Sequence, residues 1–131
     1  MEPNIGELTD ALRRAGARFA YVFGSRAQGT HDAGSDVDLA AFFGRADVDP
    51  LTVEGVDFER VDLVVLDRAP LELAGRVALH GKLLFEVDPA ERVGWQALTR
   101  KMYLDELPRM EQARKDFVAG ARERAQASGR G

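Results

Sequence analysis

The sequence predicts one domain of the α/β (α+β) class, with a mixed β-sheet flanked by helices. An apolar share of 45% beside 31% charged residues is typical of a globular protein. Short apolar runs alternate with segments of helical spacing in the order α-β-β-β-α-β-α-α. The 131 residues suit one domain, since domains take roughly 100–200 residues. We expect this domain to span residues 1–124 and a flexible tail to span 125–131.

The N-terminal part of the chain predicts a capped helix followed by a buried strand. Asn4 can cap a helix that Gly16 ends, because glycine accepts a left-handed backbone. The residues at helical spacing in it are Ile5, Leu8, Ala11 and Leu12. Phe19 to Phe23 is short, apolar and aromatic, which suits a buried strand that Gly24-Ser25 terminates.

Three more strands and a helix are predicted in the middle of the chain. Strands are indicated at 37–43, 61–66 and 83–87, with a loop or hairpin over 44–59 that carries Pro50 and Gly55. Pro70 suits the first turn of a helix that closes at His80-Gly81. The apolar positions of this helix are Leu71, Leu73, Ala74, Val77 and Ala78.

From Pro89 onward the pattern is helical, and Pro108 predicts a break or kink near Asp105–Leu107. A last helix follows, with Phe117 among its apolar positions. In the helix before the break, the positions predicted to be buried are Val93, Leu98, Met102 and Leu104.

Composition excludes several classes of function. The chain has no cysteine, which excludes disulfides, thiolate zinc sites and cysteine nucleophiles. Its net charge of -4 offers no broad basic surface for nucleic acid, although a nucleotide can still be a substrate. No apolar run approaches the ~20 residues that cross a bilayer. The Met-Glu-Pro-Asn start lacks a signal-peptide pattern, so we expect a cytoplasmic protein without a membrane partner.

Three aspartates carry the chemistry that the sequence predicts. Asp36 and Asp38 lie two residues apart at a strand and therefore share a face. Asp62 lies within another apolar strand, and it joins the same cluster if the two strands are neighbours. Carboxylate oxygens are ligands for Mg²⁺ or Mn²⁺, which usually take one or two carboxylates together with substrate phosphates.

A candidate phosphate-binding turn precedes these acids. Gly24-Ser25 ends a strand ahead of a short helix predicted near Arg26, so that backbone N–H groups and a hydroxyl face an anion. A phosphate site beside metal-binding acids predicts a metal–nucleoside triphosphate and in-line transfer of a nucleotidyl group.

Each feature also has a simpler explanation. Gly-Ser after a strand is usually only a turn, and an Asp-x-Asp pair is usually solvated or a cap. Asp62 could instead form a structural ion pair with Arg60 or Arg18. His31 and His80 read as a loop residue and a helix-end residue. The order, spacing and strand placement of the three acids favour the catalytic interpretation.

The two motifs resemble the signature of polymerase-β-like nucleotidyltransferases. Gly24-Ser-Arg-Ala-x-Gly29 and Ser35-Asp-x-Asp-Leu39 carry the likeness, and the small size points to the minimal nucleotidyltransferases. The segments at 61–66 and 81–86 are similar to the antitoxin members (MNT) that pair with HEPN-domain toxins. Gln28 departs from the pattern, because many members carry an arginine there.

The resemblance implies a fold, a reaction and a set of site residues. It implies the nucleotidyltransferase fold and AMP transfer from ATP to a tyrosine of a HEPN ribonuclease toxin in a hetero-oligomer. It places Gly24 and Ser25 on the triphosphate, Asp36 and Asp38 on Mg²⁺, and Asp62 as the third acid. Two Mg²⁺ ions are expected, with Mn²⁺ as the alternative. Arg26 is a further candidate for binding the triphosphate, and Asp62 is the candidate general base.

Two other functions stay open at this point. One is nucleotidyl transfer to a small molecule such as an aminoglycoside. This alternative is disfavoured because few residues follow the last predicted strand to form an acceptor pocket. The other is a non-enzymatic antitoxin that acts by binding alone, through the apolar side of its C-terminal helices.

Overall fold

A computed structural model of the chain describes residues 4–24 and 36–129. Within them the elements are α1 (Ile5–Arg14), β1 (Phe19–Phe23), β2 (Val37–Phe42), β3 (Val61–Val65), α2 (Leu71–His80), β4 (Lys82–Glu86) and α3 (Pro89–Gly129). Single 3-10 turns occur at Pro50–Thr52 and Leu66–Arg68. None of the described helices combines the length and apolar character that crossing a bilayer requires.

The four strands form one mixed sheet in the order β3-β2-β1-β4. β1 pairs antiparallel with β2 and with β4, and β2 pairs parallel with β3. The strands therefore form where the sequence predicts them, to within one residue at each end, and the predicted mixed α/β (α+β) class is confirmed. The two strands that carry the aspartates are neighbours, which was the condition for bringing Asp62 to Asp38.

The two faces of the sheet pack against different layers because strand side chains alternate. One face carries the odd-numbered residues of β2 and β3, which pack with the buried face of α1 and with residues of the 43–60 connection. The opposite face carries Phe19 and Tyr21 of β1 and Ala40 of β2, which pack with Val77 of α2 and Trp95 of α3.

Helix α1 begins and ends as its sequence predicts. The side chain of Asn4 accepts a hydrogen bond from the Glu7 backbone N–H at 3.1 Å, which satisfies one of the free donors of the first turn. Gly16, just past the helix, has φ +96°, a backbone conformation that glycine adopts without strain.

Of the break or kink predicted near Asp105–Leu107, the break is wrong and the kink stays a prediction. Helix α3 is continuous from Pro89 to Gly129 and contains Pro108. A proline within a helix deprives the carbonyl four residues earlier, here Leu104, of its donor. Leu104 is exposed, and the buried residues of α3 end at Tyr103, so water can hydrate that carbonyl.

The burial predicted for α3 also needs correction. The positions predicted to be buried (Val93, Leu98, Met102 and Leu104) are all exposed. The helix instead packs through a narrow stripe at helical spacing that includes Trp95, Thr99 and Tyr103. Helix α3 extends to Gly129, because Ala-Gln-Ala favours helix. The domain boundary at 124 and the flexible tail over 125–131 stay predictions.

A set of polar contacts fastens α3 to the sheet and to α2. The Tyr21 hydroxyl donates to Oε1 of Gln96 at 3.1 Å, and burial raises the pKa of Tyr21 to about 12, so that the donor stays protonated. Gln96 Nε2 and Arg100 Nε donate to the carbonyl of Ala78 at 3.0 and 2.6 Å. Ala78 lies in the last turn of α2, where carbonyls lack helical partners, so α3 supplies the missing donors.

Close packing of α2 on α3 depends on a glycine. A Cβ built on Gly75 would overlap Cγ of Tyr103, well inside contact distance. Only a residue without a side chain therefore lets the buried Tyr103 ring lie against α2.

Gly75→Ala is therefore expected to destabilise the protein by about 1–3 kcal/mol, the cost of overpacking a close-packed contact. The matched control is Gly94→Ala, because a Cβ at Gly94 meets nothing within 4 Å and should stabilise α3 by up to about 1 kcal/mol. Denaturant unfolding of both variants checks this, and equal effects of the two substitutions would contradict the proposed contact.

Candidate active site

The structure places Asp38 and Asp62 side by side. They are register partners in the parallel pair of β2 and β3, whose strands lie about 4.8 Å apart. The alternation along the strands places both residues on the face that α2 and α3 cover, together with Ala40 and Val64. The two carboxylates are therefore neighbours at the end of the sheet where β1 ends and β2 and β3 begin.

Asp36 adds a third negative charge to this pair. It precedes β2 by one residue and is exposed. Burial raises the pKa of Asp38 above its ordinary value, and the negative charges of Asp62 and then Asp36 raise it further. Two of the predicted acids, Asp62 and Asp36, thus act electrostatically on the third, Asp38.

The premise that Asp62 needs a partner because it lies in an apolar strand is wrong. Asp62 is exposed while its neighbours Val61 and Leu63 are buried. The reason is that Asp62 lies near the start of β3, an edge strand, where it is exposed although Val64, further along the same face, is half-buried. Arg18, one of the two cations considered for an ion pair, instead contacts Glu91 at 2.9 Å.

Gly24 lies directly against the carboxylate of Asp38. Its φ is +72°, and a Cβ built on it would be 2.6 Å from Oδ2 of Asp38. Phe23, the residue before it, is the register partner of Asp38 across the antiparallel pair. The turn after β1 therefore requires glycine both for its backbone conformation and for the space that the carboxylate occupies.

The donor set of this site suits a hard divalent cation. Among residues 4–24 and 36–129, no three Asp, Glu or His side chains are grouped closely enough to hold a metal ion as they stand. Like charges without a cation repel, so a pair rather than a triad is expected in the metal-free protein. Magnesium usually takes one or two protein carboxylates and completes its shell with phosphate oxygens and water. Asp38 and Asp62 with the nearby Asp36 fit that requirement.

Part of the predicted site lies outside the described residues. This holds for Ser25, Arg26 and Gln28, so their roles stay predictions. Conversely, the structure contains a pocket beside Gly24 that the sequence pattern does not predict, lined by Phe23, Leu73, Arg76 and His80. Residues 73, 76 and 80 recur at helical spacing, but only the packing of α2 shows that they face the end of β1.

Comparison with known proteins identifies the family. The family model described as "Polymerase beta, Nucleotidyltransferase" matches residues 7–90. This range contains β1, β2 and β3 with all three aspartates. The chain belongs to the polymerase beta nucleotidyltransferase family. The resemblance drawn from the Gly-Ser and Asp-x-Asp motifs is thereby confirmed, while a comparison with curated proteins finds no match.

Solved structures of toxin–antitoxin complexes share the fold of this nucleotidyltransferase. A toxin–antitoxin with AMP-PNP is 27% identical with a TM-score of 0.73, over 89% of this chain and 99% of that chain. A mutant MntA-HpeT toxin–antitoxin is 25% identical, with the same TM-score of 0.73 and the same coverage of 89% and 99%. A Shewanella oneidensis structure, described as a tri-AMPylated HEPN toxin with MNT antitoxin, is 23% identical with a TM-score of 0.66, over 88% and 95%.

Gly24→Ala is expected to weaken magnesium–ATP binding by about tenfold or more, because the new Cβ displaces the Asp38 carboxylate and strains a left-handed residue by about 1–2 kcal/mol. The control is Gly16→Ala, which carries similar strain at φ +96° but meets nothing within 4 Å. Titration calorimetry with magnesium–ATP compares them. Equal affinity in the two variants would show that contact with Asp38 is irrelevant.

Asp38→Asn is expected to make the metal-free protein more stable at neutral pH. A native pKa raised above the ordinary 3.8 means that the folded state binds the proton more tightly than the unfolded state. The stability that protonated Asp38 contributes is therefore fully present below the pKa of the unfolded chain, and it is lost as the pH rises through the higher pKa of the folded protein. Asparagine removes this loss.

The measurement is the free energy of unfolding in EDTA between pH 4 and 7, with the exposed Asp10→Asn on α1 as control. The difference between Asp38→Asn and wild type should grow in favour of the variant as the pH rises. A constant or falling difference would contradict the repulsion among the three acids.

Proposed function

We propose that this nucleotidyltransferase is an antitoxin that transfers AMP from ATP to a tyrosine of a HEPN-domain toxin and so inactivates it. The observation that carries the proposal is the pairing of Asp38 with Asp62 beside the Gly24 turn, in a chain of this family. The match over 89% of this chain to a toxin–antitoxin with AMP-PNP supports ATP as donor and a toxin as partner. The AMPylated toxin in the Shewanella oneidensis complex supports AMP as the transferred group.

The chemistry follows from where the acids lie. The tyrosine hydroxyl oxygen attacks the α-phosphorus of ATP, a new P–O bond forms, and the bond from the α-phosphorus to the bridging oxygen breaks. Pyrophosphate leaves, and the hydroxyl proton passes to a carboxylate. Asp62 is the proposed base, because it is exposed on the edge strand where a hydroxyl carried by another protein can reach it.

Asp36, Asp38 and Asp62 are the proposed magnesium ligands, and Gly24, Ser25 and Arg26 are proposed to bind the triphosphate. When bound, magnesium would offset the negative charge of the triphosphate and orient it for in-line attack. The carboxylates hold the reacting groups at the end of the sheet, where Gly24 leaves space against Asp38. The metal-free repulsion at Asp38 makes the same residues receptive to a cation.

Helix α3 offers a surface for the toxin. Leu98 and Met102, one turn apart, and Phe117 are exposed along it. Exposed apolar side chains that recur along one helix are typical of a protein–protein contact. They also keep the binding-only antitoxin as the competing function, since contact through α3 could neutralise a toxin without any transfer of AMP.

The decisive experiment incubates the protein with ATP labelled on the α-phosphate, magnesium and the HEPN-domain product of the neighbouring gene. Label is expected on a toxin tyrosine with magnesium and none in EDTA. Asp36→Ala combined with Asp38→Ala should lower labelling by at least about a hundredfold, the scale of losing a main electrostatic stabiliser. The fold should survive, because the removed charges repel one another.

The matched control is Asp10→Ala combined with Asp47→Ala, which removes the same charge from exposed positions away from the site. Protection of cells from the toxin distinguishes AMP transfer from neutralisation by binding alone. If the Asp36/Asp38 double variant protects cells as well as wild type, binding alone is the function. Label on a small molecule such as an aminoglycoside, with none on protein, would favour a small acceptor.

A further inference from the structure

A pocket of about 310 Å³ opens between the end of β1 and helix α2. Its lining consists of Phe23, Gly24, Leu73, Arg76 and His80. The family match and the sequence motifs assign no role to the three residues that α2 contributes. The volume lies at the lower end of the range for small-molecule sites, about 300–1,000 Å³.

The pocket adjoins the paired carboxylates. Phe23 lies opposite Asp38 in the antiparallel pair of β1 and β2, so the two side chains share a face of the sheet. Gly24, the next residue, is the one whose Cβ would lie 2.6 Å from Oδ2 of Asp38. A ligand in the pocket can therefore extend to the carboxylates without crossing the sheet.

The walls of the pocket suit a flat ligand with polar edges. Phe23 and Leu73 are half-buried and present apolar surface, while Arg76 and His80 are exposed on the α2 side. Arg76 Nε donates to the carbonyl of Glu72 at 3.4 Å, which keeps the guanidinium close to the helix. Aromatic and apolar side chains stack on nucleobases, and a planar guanidinium both stacks and donates hydrogen bonds.

The strand order separates this pocket from the acceptor. The sheet runs β3-β2-β1-β4, so Asp62 lies on the open edge, whereas the pocket lies beyond β1 under α2. A toxin tyrosine must approach from outside the molecule and can reach Asp62 at that edge. The position on the far side of Asp38 is left for the donor, whose triphosphate is proposed to bind at the Gly24 turn.

We infer that the pocket between β1 and α2 binds the base of the donor nucleotide, with Phe23 and Leu73 against its face and Arg76 and His80 at its polar edges. This inference rests on the proposed function. It makes residues of α2 determinants of nucleotide affinity, although α2 carries none of the three acids.

The test compares two probes, magnesium–ATP and magnesium–tripolyphosphate, by titration calorimetry. Leu73→Trp fills the pocket without adding charge and should weaken ATP binding about tenfold, the scale of one lost base contact. Tripolyphosphate has no base, so its affinity should change by less than about twofold, within ordinary variation between surface variants. His80→Ala, at an exposed position, should likewise weaken the binding of ATP more than the binding of tripolyphosphate.

Leu79→Trp is the matched control, because Leu79 is also half-buried on α2 but does not line the pocket. Equal loss of ATP and tripolyphosphate affinity in Leu73→Trp and His80→Ala would overturn the inference. Unchanged ATP affinity with a raised KM for the toxin would also overturn it and assign the pocket to the acceptor. If wild type binds neither probe, the proposed function itself fails; if it binds both and the variants match it, only the base site fails.

Discussion

The apolar residues that β2 and β3 bury beneath α1 fix the register in which these strands pair. Because side chains alternate, a slip of one residue would turn Asp38 or Asp62 into that core and bring a buried valine to the surface. Burial of Val37, Leu39 and Leu63 therefore keeps the two carboxylates adjacent, although their charges oppose the arrangement. The core on one face of the sheet therefore fixes the positions of the acids on the opposite face.

The placement of α2 and α3 on the second face of the sheet depends on contacts far from the acids. Tyr103 lies in the space that Gly75 leaves, and Gln96 joins Tyr21 of β1 to the carbonyl of Ala78 in α2. These contacts set the distance of α2 from β1, and that distance determines the pocket at Phe23. Substitutions in α3 at Gln96 or Tyr103 are consequently expected to change the shape of that pocket without lining it, through the position of α2.

The sequence predicts the sheet and its three acids well because both follow from local pattern. Alternation and aromatic content define the strands, and the Asp-x-Asp spacing defines a shared face. Tertiary context decides the rest. The exposure of Asp62 depends on β3 being an edge strand, and the continuity of α3 through Pro108 depends on its emergence from the core. In the sequence, Leu73 is an ordinary apolar helix position, and only the packing of α2 against β1 shows that it lines the pocket.

The edge position of β3 bears on the size of the acceptor. Asp62 has buried neighbours along its strand but is itself exposed on an outer strand of the sheet. A small acceptor needs walls to hold its hydroxyl against the donor, because positioning supplies much of the rate of group transfer. An exposed carboxylate on an edge strand offers little enclosure. A folded protein can supply its own contact surface and carry the hydroxyl to that edge, and the exposed apolar side chains of α3 provide somewhere for such a partner to bind.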